Sequence, residues 1–128
     1  MKTKNFNLDE FACNDGTPVP DEYLPNVVKL MAALEVIRYA CGNRAIVVNS
    51  GYRSPKYNKK IGGAKRSKHL TASAADLVHA SLPPKELYAT IERLINEGAI
   101  PEGGLGLYNS FVHYDVYFDG VNKRRWKG

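Results

Sequence analysis

The sequence is short of the features that announce several protein classes. It holds two cysteines, Cys13 and Cys41, and no Cys-x-x-Cys pair. Neither a disulfide framework nor a cysteine-type metal knuckle can be built from these, and two buried free thiols in a chain made in a reducing compartment are expected. No stretch approaches the roughly 20 consecutive apolar residues that a spanning helix needs, so no membrane span is expected. The opening segment Met1-Lys2-Thr3-Lys4-Asn5-Phe6-Asn7 has basic residues with no apolar stretch behind them, and is not read as a signal peptide. Repeats, low-complexity tracts and linkers are absent. The glycine-rich run Gly103-Gly104-Leu105-Gly106 lacks the G-x-G-x-x-G order of a dinucleotide site, which points instead to a strand closely approached by other backbone. Basic residues exceed acidic ones by only 18 to 13, with no basic stripe interleaved with aromatics, so nucleic acid is not an expected partner. The densest basic cluster, Lys123-Arg124-Arg125 with Trp126 and Lys127, reads as a solvated tail.

What is present is the composition of an ordinary globular domain, with 44% hydrophobic and 24% charged residues. The 128 residues are expected to form one domain spanning 1–128. Residues 5–20 read as an irregular lead-in punctuated by Asp15-Gly16, Pro18 and Pro20, from which Leu8, Phe11 and Val19 pack down. Leu24, Val27, Val28, Met31, Leu34, Ile37 and Cys41 recur at helical steps up to a stop at Gly42. Ala45 to Asn49 is a β-branched run that predicts a buried strand. It leads into a turn-rich loop, Ser50-Gly51-Tyr52-Arg53-Ser54-Pro55, and Pro55 to Ile61 predicts a short helical turn. A strand over Ala74 to Val78 and a second helix from Pro84 through Ile95, ended by Gly98, follow. Asn109-Ser110 predicts a hairpin turn into a strand over Phe111 to Phe118.

The chemistry concentrates in Ser67-Lys68-His69-Leu70-Thr71-Ala72-Ser73-Ala74-Ala75-Asp76. Were residues 69 to 76 one helix, His69 and Asp76 would lie about 10 Å apart, too far for ligands that sit about 2.0–2.2 Å from one ion. A shared metal therefore requires the chain to fold back between them, through residues small enough to allow it. A third ligand must come from His79 or His113. His113 is the better placed, in the alternating run Phe111-Val112-His113-Tyr114-Asp115-Val116, because His79 should face away from Asp76. The same alternation puts Asp115 on the side of His113, where it could hold the imidazole or act as a base. In the loop after the first strand, the planar fork of Arg53 suits a carboxylate.

Together these residues resemble the zinc D-Ala-D-Ala peptidase family, which shares its fold with the hedgehog signalling domain. The resemblance rests on Ser50 to Ser54, on Ser67, His69, Ala74 and Asp76, on Gly62-Gly63-Ala64, and on His113-Tyr114-Asp115, and runs from about Phe6 to Trp126. It implies an α+β fold with a small antiparallel sheet flanked by helices. It further implies that His69, Asp76 and His113 hold one Zn2+, that Arg53 clamps a substrate carboxylate, and that Asp115 is the general base. Ser67, Tyr52 and Tyr108 would flank or touch substrate. The implied function is zinc-dependent cleavage of peptide stems or crosslinks of bacterial peptidoglycan, as a D,D-carboxypeptidase or an L,D-type endopeptidase. The protein would be monomeric, cytoplasmic when made, and active on the wall after release or within a phage particle. Two departures stand out. Ala72 replaces the usual glycine, which is tolerable if its backbone is not left-handed. Ser110 occupies the position of the family's acidic base, which leaves a non-catalytic zinc-containing wall-binding domain as the alternative.

Overall fold

The computed structural model describes residues 1–128. It has three α-helices, α1 (Leu24–Ala40), α2 (Pro55–Lys60) and α3 (Pro84–Asn96), and five strands. The strands are β1 (Ile46–Ser50), β2 (Ala74–His79), β3 (Leu105–Leu107), β4 (Val112–Asp115) and β5 (Arg125–Lys127). They form one sheet in the order β1-β2-β4-β3-β5. The class is α+β, as expected, but the sheet is mixed rather than antiparallel. The connection 116–124 reverses direction and steps past β3, so β5 runs antiparallel to β4 and parallel to β3. No helix is long and apolar enough to cross a membrane.

The two long helices arise where the apolar periodicity places them. Helix α1 buries Val27, Leu30, Met31, Leu34 and Ile37, and α3 buries Leu87, Ile91, Leu94 and Ile95. Both stripes pack with Ala75, Leu77, Leu105, Val112 and Tyr114 of the sheet in one core. Glycines at positive φ end both helices, Gly42 at 83° and Gly98 at 75°. Strand β1 differs from its expected burial. It is an edge strand with Val47 54% exposed, since β-branched runs suit half-buried and buried strands alike. Its pairing with β2 slips between Val48 and Ser50, and such a bulge re-aims the chain into the Gly51–Ser54 loop. In the lead-in segment Phe11 and Val19 are buried as anticipated, Leu8 packs on the core only partly buried, and Phe6, which was not anticipated, is buried with them. Both cysteines are free and buried.

Side-chain alternation gives the sheet a second, chemical face. Ala75, Leu77 and Tyr114 join the core, while Asp76, His113 and Asp115 point the other way. The register places Asp76 opposite His113, His113 opposite Gly106, and Gly106 opposite Trp126, one row across four strands. His79 lies on the core side, where its Nε2 meets the Cys41 carbonyl at 3.1 Å and its Nδ1 accepts from the Ser81 and Leu82 amides. It is thus a packing histidine that closes the end of α1 onto β2.

Candidate metal centre

His69 rides on a single 3-10 turn, Lys68–Thr71, whose start is capped by the Ser67 hydroxyl accepting from the His69 amide at 3.2 Å. The turn is closed by Ala72 at φ 57° and ψ 27°, which sends the chain back into β2 and brings His69 over Asp76. The fold-back that a shared metal requires is therefore present. The condition under which alanine would be harmless there is not met. Ala72 is left-handed, a conformation that costs a non-glycine residue roughly 1–2 kcal/mol, and the surrounding turn holds it in place.

Three potential ligand atoms converge. Oδ1 of Asp76 lies 3.2 Å from His69 Nε2 and 3.3 Å from His113 Nδ1, and the three atoms are all within 4.8 Å of one another. The other ring nitrogens assign the tautomers. His69 Nδ1 sits 2.7 Å from the Gly51 carbonyl, which can only accept, so Nδ1 carries the proton. His113 Nε2 donates to Asp115 Oδ2 at 2.8 Å. Once its second proton is off, each imidazole presents a bare lone pair to the Asp76 oxygen, and a cation between the three atoms, whether a shared proton or a metal ion, removes that repulsion. A tetrahedral ion with bonds of about 2.1 Å spaces its ligands by about 3.4 Å, close to the two separations found here. The residues present therefore fit a zinc ion, which His69, Asp76 and His113 would hold where they line the cleft.

Protonation tendencies agree that positive charge is favoured at this point. Burial opposes charge on His113, yet its hydrogen bonds to Asp115 and Asp76 raise its pKa above the usual histidine range. Burial would likewise raise the Asp76 carboxyl, but the two histidines hold it well below the usual carboxylate range. Asp115 is fully buried, which disfavours its charge, and hydrogen bonds from His113 and Arg124 nevertheless bring its pKa down to about 2.

The ligand atoms open onto a cleft of about 460 Å³. Arg53, Ser67 and Tyr108 line it, together with Arg66, Lys68, Phe111, Arg124 and Trp126. Arg53 has only long contacts, 3.4 Å to Ser50 Oγ, 3.3 Å to Asn58 Oδ1 and 3.5 Å to Asp76 Oδ2, which leaves its fork available. Tyr52 is the exception among the expected residues. It is buried, 6.2 Å from the ring of Tyr23, and does not line the cleft. Ser110 is exposed in the β3–β4 turn and lies outside the lining.

A family described as Peptidase M15 matches residues 3–115. The chain belongs to the Peptidase M15 family. Among the relatives of this M15 chain is a protein of Streptomyces albus G named zinc D-Ala-D-Ala carboxypeptidase, 42% identical over 52 residues. That match covers 41% of this chain and 20% of the relative, so the M15 chain spans about a fifth of the length of the curated relative it matches. The family match stops at Asp115, yet Arg124 and Trp126 reach the cleft from beyond it. The expectation of a solvated tail at 123–127 is corrected accordingly. Arg124 pairs with Asp115, Arg125 with Glu92 and Glu102, and Trp126 lies 5.0 Å from the ring of His113. The glycine run that includes Gly106, already expected to admit a close neighbour, hinted at this. A Cβ there would run into the Trp126 indole.

Proposed function

We propose that the chain is a zinc-dependent peptidase acting on the peptide stems or crosslinks of peptidoglycan, with His69, Asp76 and His113 as its zinc ligands. The observation that carries this reading is the convergence of three lone-pair donors beside a guanidinium in an open cleft. Membership of the M15 family and the printed name of the Streptomyces relative support the substrate class. So does charge. Arg53, Arg66, Lys68 and Arg124 line the cleft against two carboxylates that already have partners, which suits a peptide rich in carboxylates.

Zinc, when bound, would supply a water acidified to a pKa of about 7 and polarise the scissile carbonyl. The remaining work falls to the chain. Arg53 receives a substrate carboxylate in two parallel hydrogen bonds and thereby sets register. Ser67 holds the turn that carries His69. Tyr108, whose oxygen accepts from Trp126 Nε1 at 2.9 Å, keeps its own proton to donate toward substrate. Asp115 is better suited to orienting than to proton transfer. Its oxygens already accept from His113 Nε2, the Gly104 and Tyr117 amides and both Arg124 nitrogens, so no lone pair is spare. We assign it the orientation of His113 in place of the expected base role. Asp76 Oδ2, with a single 3.5 Å contact to Arg53, is the carboxylate oxygen in the lining with the fewest partners, but the two histidines that hold its carboxyl well below the usual range suit it to charge rather than to proton uptake.

The same saturation of Asp115, with Ser110 outside the cleft, favours a second reading, a zinc-containing domain that binds the wall without cutting it. Incubation of purified muropeptides with the protein, followed by mass spectrometry, separates the two. Cleavage that is abolished by a chelator and restored by zinc is expected. Retention on the wall with no new peptide ends across carboxypeptidase and endopeptidase substrates would favour the binder.

A further inference from the structure

We infer that the C-terminal segment 116–128, which lies beyond the family match, is a working part of the metal centre, with Arg124 and Trp126 as positioning residues for His113. The inference rests on the zinc reading above. Two rows of contacts carry it.

The first row runs through Asp115. A fully buried carboxylate is costly unless its charge is balanced and its lone pairs are used. Arg124 does both, with Nη1 3.2 Å from Oδ2 and Nη2 donating to Oδ1. Its Nη2 is fixed in turn by the Tyr117 carbonyl at 2.9 Å. Space for the pair is reserved by Gly104, where a Cβ would collide with both Asp115 Oδ2 and the guanidinium. Held from both sides, Asp115 has one oxygen aimed at His113 Nε2, which fixes the tautomer that leaves Nδ1 bare.

The second row runs through Trp126. It stands two places from His113 across the sheet, and Gly106 between them has no side chain, so the indole reaches over the gap. His113 is thereby flanked by two rings, His69 at 5.1 Å and Trp126 at 5.0 Å between centroids, which restricts its rotation. Trp126 also donates to Tyr108, itself stacked on Phe111 at 4.4 Å. Strand alternation explains why adjacent residues do different work. Arg124 and Trp126 face the cleft, and Arg125 between them faces the scaffold, bonded to Glu92 at 2.6 Å, Glu102 at 2.9 Å and the Gly103 carbonyl at 2.8 Å. Arg125 therefore anchors the segment that its neighbours use.

The test compares full-length wild type, Arg124→Ala, Arg124→Lys, Trp126→Ala, Trp126→Phe and the anchor variant Glu92→Gln. Zinc affinity is read by competition with a chromophoric chelator at fixed pH, and site geometry by the visible spectrum of the Co2+-loaded protein. Partners behind a metal-bound histidine are worth about 10–100-fold in metal affinity. Arg124→Ala and Trp126→Ala should weaken zinc within that range and alter the Co2+ spectrum, with partial recovery in Arg124→Lys and Trp126→Phe. Glu92→Gln should lower only the melting temperature. Folded Arg124→Ala and Trp126→Ala that bind zinc within about twofold of wild type would overturn the inference while leaving the zinc reading intact. If Arg124→Ala does not fold, an unchanged affinity in Arg124→Lys and Trp126→Phe, together with an unchanged Co2+ spectrum, overturns it instead. A wild-type chain that takes up no zinc would remove the zinc reading itself.

Discussion

Replacing Asp115 by asparagine removes one negative charge at nearly constant shape, and the structure says what that should cost. The wild-type carboxylate accepts from five donors on three sides, none of which can turn away without leaving the site. An asparagine must point its NH2 group at Arg124 and the amides, or at the His113 Nε2 proton. Either choice buries a donor against a donor, at about 1–3 kcal/mol. Loss of the ion pair adds to this, moderated by the partial exposure of Arg124. The charge-dependent share follows from the pKa. Asp115 titrates near 2 in the folded protein against an ordinary 3.8. A depressed carboxylate pKa stabilises the fold above the unfolded value, and that stability is lost as pH falls through the folded one. The shift contributes about 2 kcal/mol at pH 5 and about 1 kcal/mol at pH 3. Urea unfolding of the chelated protein at both pH values measures it, in a window below the titration of His113. Wild type should exceed Asp115→Asn by about 3 kcal/mol at pH 5, and the gap should narrow by about 1 kcal/mol at pH 3. A gap that is absent, or equally large at both pH values, would refute the argument that Asp115 is held ionised by His113 and Arg124.

Three further outcomes follow from the same geometry. His113, raised above 6.5, stabilises the chelated protein below pH 6.5 and ceases to as pH rises through its folded value. Melting temperature without metal should therefore fall between pH 6 and pH 9, whereas zinc, which competes with that proton, should stabilise more as pH rises. Gly106→Ala should push the single tryptophan off His113. A loss of about 1–3 kcal/mol, typical of overpacking, should accompany a change in intrinsic fluorescence, and an unchanged spectrum would mean that Trp126 does not lie over Gly106. Ala72→Gly relieves a left-handed alanine but gives up a buried methyl worth about 0.8 kcal/mol. With the roughly 0.4–1 kcal/mol that glycine adds in unfolded-chain entropy, these terms nearly cancel, so unfolding free energies from denaturant titration should differ by less than about 0.5 kcal/mol, and a large loss would contradict the left-handed backbone.

Much of this was legible in the sequence because it is local. Helical stripes, glycine stops and the Asn109-Ser110 turn depend on neighbours a few positions apart, and alternation alone put His113 and Asp115 on one side of β4. The convergence of His69 on Asp76 was also accessible, since small residues between them allow a sharp return. Features set by long-range pairing were not. The three residues of β5 carry no periodicity, and their parallel pairing with β3 depends on the path of the 116–124 connection, so Arg124 and Trp126 looked like any charged tail. Tyr52 was misjudged for a related reason. In an irregular loop no period says which way a side chain turns, and the neighbours of Arg53 need not share its direction. Ala72 illustrates a third limit, because a sequence that replaces glycine with alanine does not reveal whether the backbone has relaxed or remained left-handed.

The central claim is that two imidazoles and one carboxylate meet on a single divalent ion. Metal analysis of purified wild type and His69→Ala, after equilibration with excess zinc and gel filtration, addresses it most directly. The account predicts one zinc per wild-type chain and almost none in a folded His69→Ala. Equal zinc in the two, or none in wild type, would contradict it.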